Sequence, residues 1–183
     1  AVNLRAIGCN VESAPVELRE KLAFDASKLA HALTELPARY GAEAVVLGTC
    51  NRVEVYLARP NEQAPVHRAL VAEFLSEVHG VPPEAILGKL YERGDAEAVD
   101  HLFRVAAGLD SVVVGESQIA GQVKDAFEAA QKAQATGPLL NALFPAATRV
   151  SKRVRTETKI ADGHVSVSSA AVDFVREVFD TFT

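Results

Sequence analysis

The chain has 183 residues, 49% of them apolar and 23% charged, enough to bury an ordinary core as one domain or two small ones in contact. Its net charge of −5 argues against wholesale coating of nucleic acid, although a local basic stripe can still meet an RNA. No run approaches the roughly 18 consecutive apolar residues of a membrane span and no basic stretch ahead of an apolar one marks a signal peptide, so the sequence predicts a cytoplasmic protein with no membrane partner.

In chain order, the run N-L-R-A-I-G-C-N from Asn3 alternates as a strand. S-A-P-V-E-L-R-E-K-L-A-F then opens a helix, with Ser13 as its N-cap and Pro15 in the first turn. A second helix over residues 25–40 ends at Gly41. A-E-A-V-V-L-G-T and R-V-E-V-Y-L-A are β-rich runs joined by a tight Cys50-Asn51 turn. V-H-R-A-L-V-A-E-F-L-S-E-V-H-G is an amphipathic helix closed by Gly80, and G-K-L-Y-E-R-G is a short strand. The order strand, helices, strand, strand, helix, strand predicts a split βαβ, ferredoxin-like antiparallel sheet over roughly the first 93 residues.

From Asp95, an expected N-cap, the pattern turns helical, with Val99, Leu102, Phe103 and Ala106 as a buried stripe and Gly108 as the stop. A further helix over residues 119–135 directs Ile119, Val123, Phe127 and Ala130 to the core, and another covers 138–156. The class is therefore α+β, sheet first and a helical portion after it. At the end, Ala171, Phe174, Val175, Val178, Phe179 and Phe182 form one apolar helical stripe. With no methionine anywhere in the chain, this stripe is expected either to begin a connection into a further part of a longer protein or to pack on this domain.

Cys9 and Cys50 lie far apart, without a C-x-x-C and without histidines at ligand spacing, so no metal site is expected and both are thiols in a reducing cell. A lone cysteine beside a strand is most often a small buried hydrophobe, and Cys9, next to Gly8 in an apolar run, reads that way. Cys50 differs in its neighbours. Gly48, Thr49, Asn51 and Arg52 make a turn with exposed N–H groups and a cation that favours the reactive thiolate. His101 lies one residue from the apolar stripe of its helix, half-buried at the flank, with a nitrogen free to point into a cleft. Gln118 and Gln122 share a helix face suited to a small polar substrate, while Glu116 or Ser117 can equally serve as a helix start. Arg149, Lys152, Arg153, Arg155 and Lys159 stand against a single Glu157, as a solvated helix face or as phosphate contacts for RNA, with Arg149, Lys152 and Arg153 the candidates.

G-T-C-N-R-V-E-V-Y, with S-A-P-V-E-L-R-E-K-L-A-F ahead of it and H-L-F-R-V-A-A-G-L-D-S-V-V-V-G-E-S-Q-I-A-G-Q-V-K-D-A-F behind, resembles the glutamyl-tRNA reductases, in the same order and over nearly the whole chain. The resemblance implies that Cys50 attacks the ester joining glutamate to tRNA, giving a thioester that NADPH reduces to glutamate-1-semialdehyde at the start of tetrapyrrole (5-aminolevulinate, haem) synthesis. It carries over Thr49, Asn51, Arg52, Ser111, Glu116, Ser117, Gln118 and Gln122 as substrate contacts, that at Ser117 through its backbone. His101, ten residues before Ser111, becomes catalytic, as an acid or base for the leaving ribose hydroxyl or a support for the thiolate. The chemistry suits these residue types, since a thioester accepts hydride more readily than an ester and a planar guanidinium at Arg52 can clamp the substrate γ-carboxylate in a bidentate fork.

Residues 1–160 are then the catalytic, glutamyl-tRNA-binding unit and 161–183 the start of a connecting helix. No G-x-G-x-x-G follows a strand, so NADPH belongs to the full-length enzyme and is not bound by this chain; the dimerisation domain is absent too. Glutamyl-tRNA, a second subunit of the full-length homodimer and the next pathway enzyme, glutamate-1-semialdehyde aminomutase, are the implied partners. Haem, the pathway's end product, is a possible regulatory ligand, with Cys50 and His101 as iron ligands and Arg52 for a propionate. Two other readings stay open: a Cys–His thioesterase or acyltransferase without a reductant, and a tRNA- or haem-sensing module in which the thiol is only a ligand.

Overall fold

β1 (Val2–Asn10) and β3 (Arg52–Pro60) pair antiparallel along their whole lengths, from Val2 opposite Pro60 to Asn10 opposite Arg52. β2 (Glu43–Gly48) joins the far edge of β3 through the hairpin, and β4 (Tyr91–Gly94) joins the other edge of β1. The computed structural model describes residues 2–60 and 62–161, and within them the strand order is β2-β3-β1-β4, every neighbour antiparallel. That is the ferredoxin-like order, because each βαβ crossover leaves a gap between its two strands which the other unit fills.

The crossovers are α1 (Val16–Lys21) with α2 (Ala26–Tyr40), and α3 (Arg68–His79) with the short α4 (Pro83–Leu87), an element not expected above although Pro83 at its start and Gly88 at its end mark it. α2 begins where the Asp25 carboxylate accepts the Lys28 N–H at 2.8 Å and stops at Gly41, whose φ of 57° suits a residue without a Cβ. Gly80 closes α3 in the same way, at φ 68°. Beyond the sheet lie α5 (Asp95–Ala107), α6 (Gln118–Lys132), α7 (Pro138–Glu157) and a single 3-10 turn, Lys159–Ala161.

Arg52 through Ala58 of β3 are all buried, so both faces of the sheet are covered. Helices α5, α6 and α7 cover the face to which Tyr56 points, where its ring meets Phe144 edge-on at 5.4 Å and Phe127 stacks on Phe144 at the same distance. The start of α7 is tied to the sheet by Glu43, whose carboxylate accepts the N–H groups of Leu139 (3.0 Å) and Leu140 (2.7 Å), otherwise orphaned at a helix N-terminus.

Three local expectations are corrected. Ser13 does not cap α1: its hydroxyl accepts the Asn10 N–H at 3.1 Å, tightening the exit from β1, and Pro15 occupies the cap position. Asp95 does not cap α5 either, because its carboxylate is engaged by the Leu4 N–H at 3.0 Å and lies 3.3 Å from Arg5, leaving Gly94 at the cap. The buried face of α5 is Ala98, His101, Leu102, Val105 and Ala106, while Val99 and Phe103 are only partly covered. The stripe expected between Ala171 and Phe182 lies outside the described residues. Among the described residues no helix is long and apolar enough to cross a membrane.

Candidate active site

Side chains two apart on a strand share a face, so Arg52, Glu54 and Tyr56 stand in a row on β3, beneath α5 and α7. Across the sheet Glu54 is opposite Leu47 on β2 and Gly8 on β1, and Gly8 is in turn opposite Tyr91 on β4. Gly8 is required there: a Cβ would sit 2.2 Å from the Val53 carbonyl oxygen and 2.7 Å from the Glu54 Cα. With nothing on Gly8, the Tyr91 hydroxyl reaches over it and donates to Glu54 Oε1.

Glu54 is fully buried and is the hub of the site. Oε1 also accepts from Arg52 Nη1 at 2.7 Å and lies 2.9 Å from His101 Nε2, and Oε2 accepts the Tyr56 hydroxyl at 2.6 Å. Burial pushes this carboxyl up, but the hydrogen bond from His101, the charges of Arg52 and His101 and the Tyr56 hydroxyl outweigh it and hold the carboxyl down at about 2. Its charge in turn, after burial, drives the Tyr56 and Tyr91 phenols well above their ordinary range. Arg52 is 3% exposed; burial works against its charge and Glu54 more than restores it.

The structure corrects two expectations here. The Arg52 fork is not open, because Nη1 is held by Glu54 and Nη2 donates to the Asp110 carbonyl at 2.7 Å; a substrate carboxylate would have to displace one of them. His101 is not at the helix flank but on the buried face, 9% exposed, with Nε2 engaged by Glu54. Its Nδ1 lies 3.9 Å from Asp110 Oδ2, beyond hydrogen-bond reach, and the residue lines a cleft, so one free nitrogen is retained. The haem arrangement of Cys50, His101 and Arg52 would have to use His101 Nδ1 and displace a partner of the Arg52 fork.

Cys50 is exposed at the end of the hairpin, while Cys9 is buried, its thiol pushed up to about 11 chiefly by that burial. The turn beneath Cys50 is tight. Thr49 N–H donates to the Arg52 carbonyl at 2.9 Å, and the Thr49 hydroxyl accepts the N–H groups of Asn51 (3.1 Å) and Arg52 (3.2 Å). Thr49 thus shapes the turn, and Asn51 is half-buried within it.

A cleft of about 1320 Å³ opens beside the hub, bordered by Asn10, Val11, Tyr91, His101, Asp110 and Ser111. Its loop is anchored by Asp110, whose carbonyl holds Arg52 and whose carboxylate takes Arg104 Nη2 at 2.9 Å. Ser111 and His101 are therefore brought together. Glu116 is half-buried behind Gly108, and Ser117 and Gln118 are exposed, Ser117 at the cap position of α6 without a side-chain cap bond. Gln122 goes elsewhere, into a pocket of about 250 Å³ with Phe24, Leu29, Val46 and Gly48, next to the hairpin but apart from Ser111. The basic stripe is partly engaged: Arg153 pairs with Glu157 at 2.9 Å and Arg155 donates to the Gly115 carbonyl at 2.6 Å, while Arg149 and Lys152 are exposed. Sequence reasoning missed Glu54, Tyr91 and Asp110; the signal for the first was a carboxylate in the middle of the apolar run R-V-E-V-Y.

Comparison with known proteins places this architecture. Residues 7–158 match the family model described as glutamyl-tRNAGlu reductase, N-terminal domain. A glutamyl-tRNA reductase of Brevibacillus brevis is 43% identical over 182 residues, covering 99% of this chain and 40% of its own length. One of Marinobacter nauticus is 45% identical over 177 residues, covering 96% and 40%. The solved glutamyl-tRNA reductase from Methanopyrus kandleri superposes with a TM-score of 0.73 at 34% identity, covering 95% of this chain and 39% of that one. The chain spans about 40% of the length of the curated relatives it matches. Family model, curated relatives and solved structure agree: the chain belongs to the glutamyl-tRNA reductase family, and its residues 7–158 match that family's N-terminal domain.

Proposed function

We propose that residues 1–160 are the catalytic unit of a glutamyl-tRNA reductase and that Cys50 takes the glutamyl group from glutamyl-tRNA. The observation that carries this reading is the contrast between the thiols, Cys9 sealed in the core and Cys50 exposed on a turn braced from within by Thr49. The thiolate attacks the ester carbonyl, a C–S bond forms as the C–O bond to the ribose breaks, and the ribose oxygen takes up a proton. His101, which lines the cleft and whose ring Glu54 holds through Nε2, is the residue this reading assigns to that transfer, through Nδ1. Ser111, on the same cleft wall, and the exposed Gln118 are candidate substrate contacts, as are Glu116, Asn51 and Gln122.

Reduction of the thioester with NADPH to glutamate-1-semialdehyde belongs to the full-length enzyme. No strand-to-helix turn among the described residues carries a glycine-rich phosphate cradle, so these residues do not fit the dinucleotide. The homodimer and transfer of product to the aminomutase are likewise properties of the full-length protein. The test is acyl trapping. Glutamyl-tRNA labelled in the glutamate is mixed with the chain and the protein is mapped by mass spectrometry; one glutamyl adduct on Cys50, absent in Cys50→Ser, is expected. Label retained in Cys50→Ser, or none on the parent, overturns the assignment.

A further inference from the structure

The Cys50 turn is held from a second side. Arg19, in the last turn of α1, donates through Nη1 to the Cys50 carbonyl and through Nε to the Ala14 carbonyl at 3.2 Å. Thr49 secures the N–H groups on the inner side of the turn, so the carbonyl between Cys50 and Asn51 is oriented by Arg19. Two donors of one rigid guanidinium, on two separate carbonyls, fix its plane as an ammonium would not.

The charge of Arg19 is also left without a counter-ion beside the turn. Arg52 is neutralised by Glu54 and Arg104 by Asp110, whereas no ion pair among the described residues involves Arg19. Both of its bonds go to neutral carbonyls, so its positive charge stands uncompensated beside the turn. The field is felt on the neighbouring strand: at Cys9, where burial dominates, Arg19 pulls in the opposite direction.

We infer that Arg19 is the positioning residue of Cys50, holding its carbonyl so that the thiol projects outward and setting an unpaired cation next to it. The inference rests on the acyl-transfer reading of Cys50, and its test has one arm that does not. In that arm, the native chain is alkylated at Cys50 with anionic iodoacetate and with neutral iodoacetamide. An adjacent cation favours the anion, so Arg19→Met is expected to lower the iodoacetate-to-iodoacetamide rate ratio severalfold, added salt to lower it in the parent, and Arg19→Lys to preserve it. In the second arm, single-turnover acylation by glutamyl-tRNA is expected to slow at least about tenfold in Arg19→Met with half-saturation unchanged, and Arg19→Lys, which keeps the charge but not the two-point hold, to fall between. A loss of folding in Arg19→Met would appear as lost circular dichroism; the salt dependence of the ratio in the parent then carries the first arm, a salt-independent ratio overturning the inference, and Arg19→Lys carries the second. An unchanged alkylation ratio in Arg19→Met, or equal acylation in all three proteins, overturns the inference. A parent chain that never acquires glutamate overturns the acyl-transfer reading instead, and the alkylation ratio alone then decides Arg19.

Discussion

Replacing Glu54 by Gln isolates the charge of the hub from its hydrogen bonds. The amide is nearly isosteric, and with its oxygen at the Oε1 position it keeps the contacts to Arg52, Tyr91 and His101. Its NH2 group, at the Oε2 position, can donate to the Tyr56 oxygen once that hydroxyl turns away. What is removed is the counter-charge of Arg52, which is 3% exposed. The cost can be worked from two directions. A carboxyl held at about 2 against an ordinary 4.5 implies on the order of 3 kcal/mol in favour of the ionised form. Breaking one side of a buried ion pair costs about 3–5 kcal/mol. The two agree, and Glu54→Gln is expected to destabilise the chain by about 3 kcal/mol at neutral pH, read as a lower urea midpoint with an unchanged slope.

The pH dependence supplies the sign. The folded-state pKa of Glu54 is depressed, so its contribution is complete above 4.5 and drains away as the pH falls toward 2. Because Gln has no proton to gain, the gap between parent and variant should narrow through that window, to about 1 kcal/mol near pH 3. A gap below about 1 kcal/mol at neutral pH, or one of constant size on acidification, would refute the assignment of Glu54 as an ionised, buried partner of Arg52 and His101.

Gly8→Ala should cost at least about 3 kcal/mol, or prevent folding, because the new Cβ meets the Val53 carbonyl oxygen at 2.2 Å and strands β1 and β3 must part at the hub; a melting temperature equal to the parent's would contradict this. Glu43→Ala strips the Leu139 and Leu140 N–H groups of their acceptor and should lower stability by about 1–2 kcal/mol in chemical denaturation, with Glu43→Gln recovering part of it; no loss in either variant would mean that solvent satisfies this helix start equally well. N-ethylmaleimide near neutral pH should add to the native chain at Cys50 alone and reach Cys9, buried and pushed up to about 11, only after denaturant, as read by intact mass; a second adduct on the native chain would show that Cys9 is accessible.

What the sequence made legible was local. The Cys50 turn could be read because its determinants lie within Thr49 to Arg52, and the α2 and α3 stops because Gly41 and Gly80 end their own helices. The sheet order followed from element order, through the handedness and spacing of βαβ crossovers. The site was legible only in part, because polar residues were judged by their neighbours in the chain. In a strand with one wet face, Glu54 would point to water, but helices α5 to α7 bury that face of β3, and the same period then points a carboxylate into the core. His101 was set at the flank for the same reason: hydropathy centres a stripe on apolar side chains, and an imidazole enters the buried face only if a partner awaits it there. Likewise Asp95 was a plausible cap until Leu4, from another strand, offered an N–H to its carboxylate. The pairs that define the site are far apart in sequence, His101 and Glu54 by 47 residues, Arg52 and Asp110 by 58, Arg19 and Cys50 by 31. Each partner alone reads as a residue for solvent or substrate. Together they engage most of each other's donors and acceptors, while Cys50 lies outside that network with its thiol exposed.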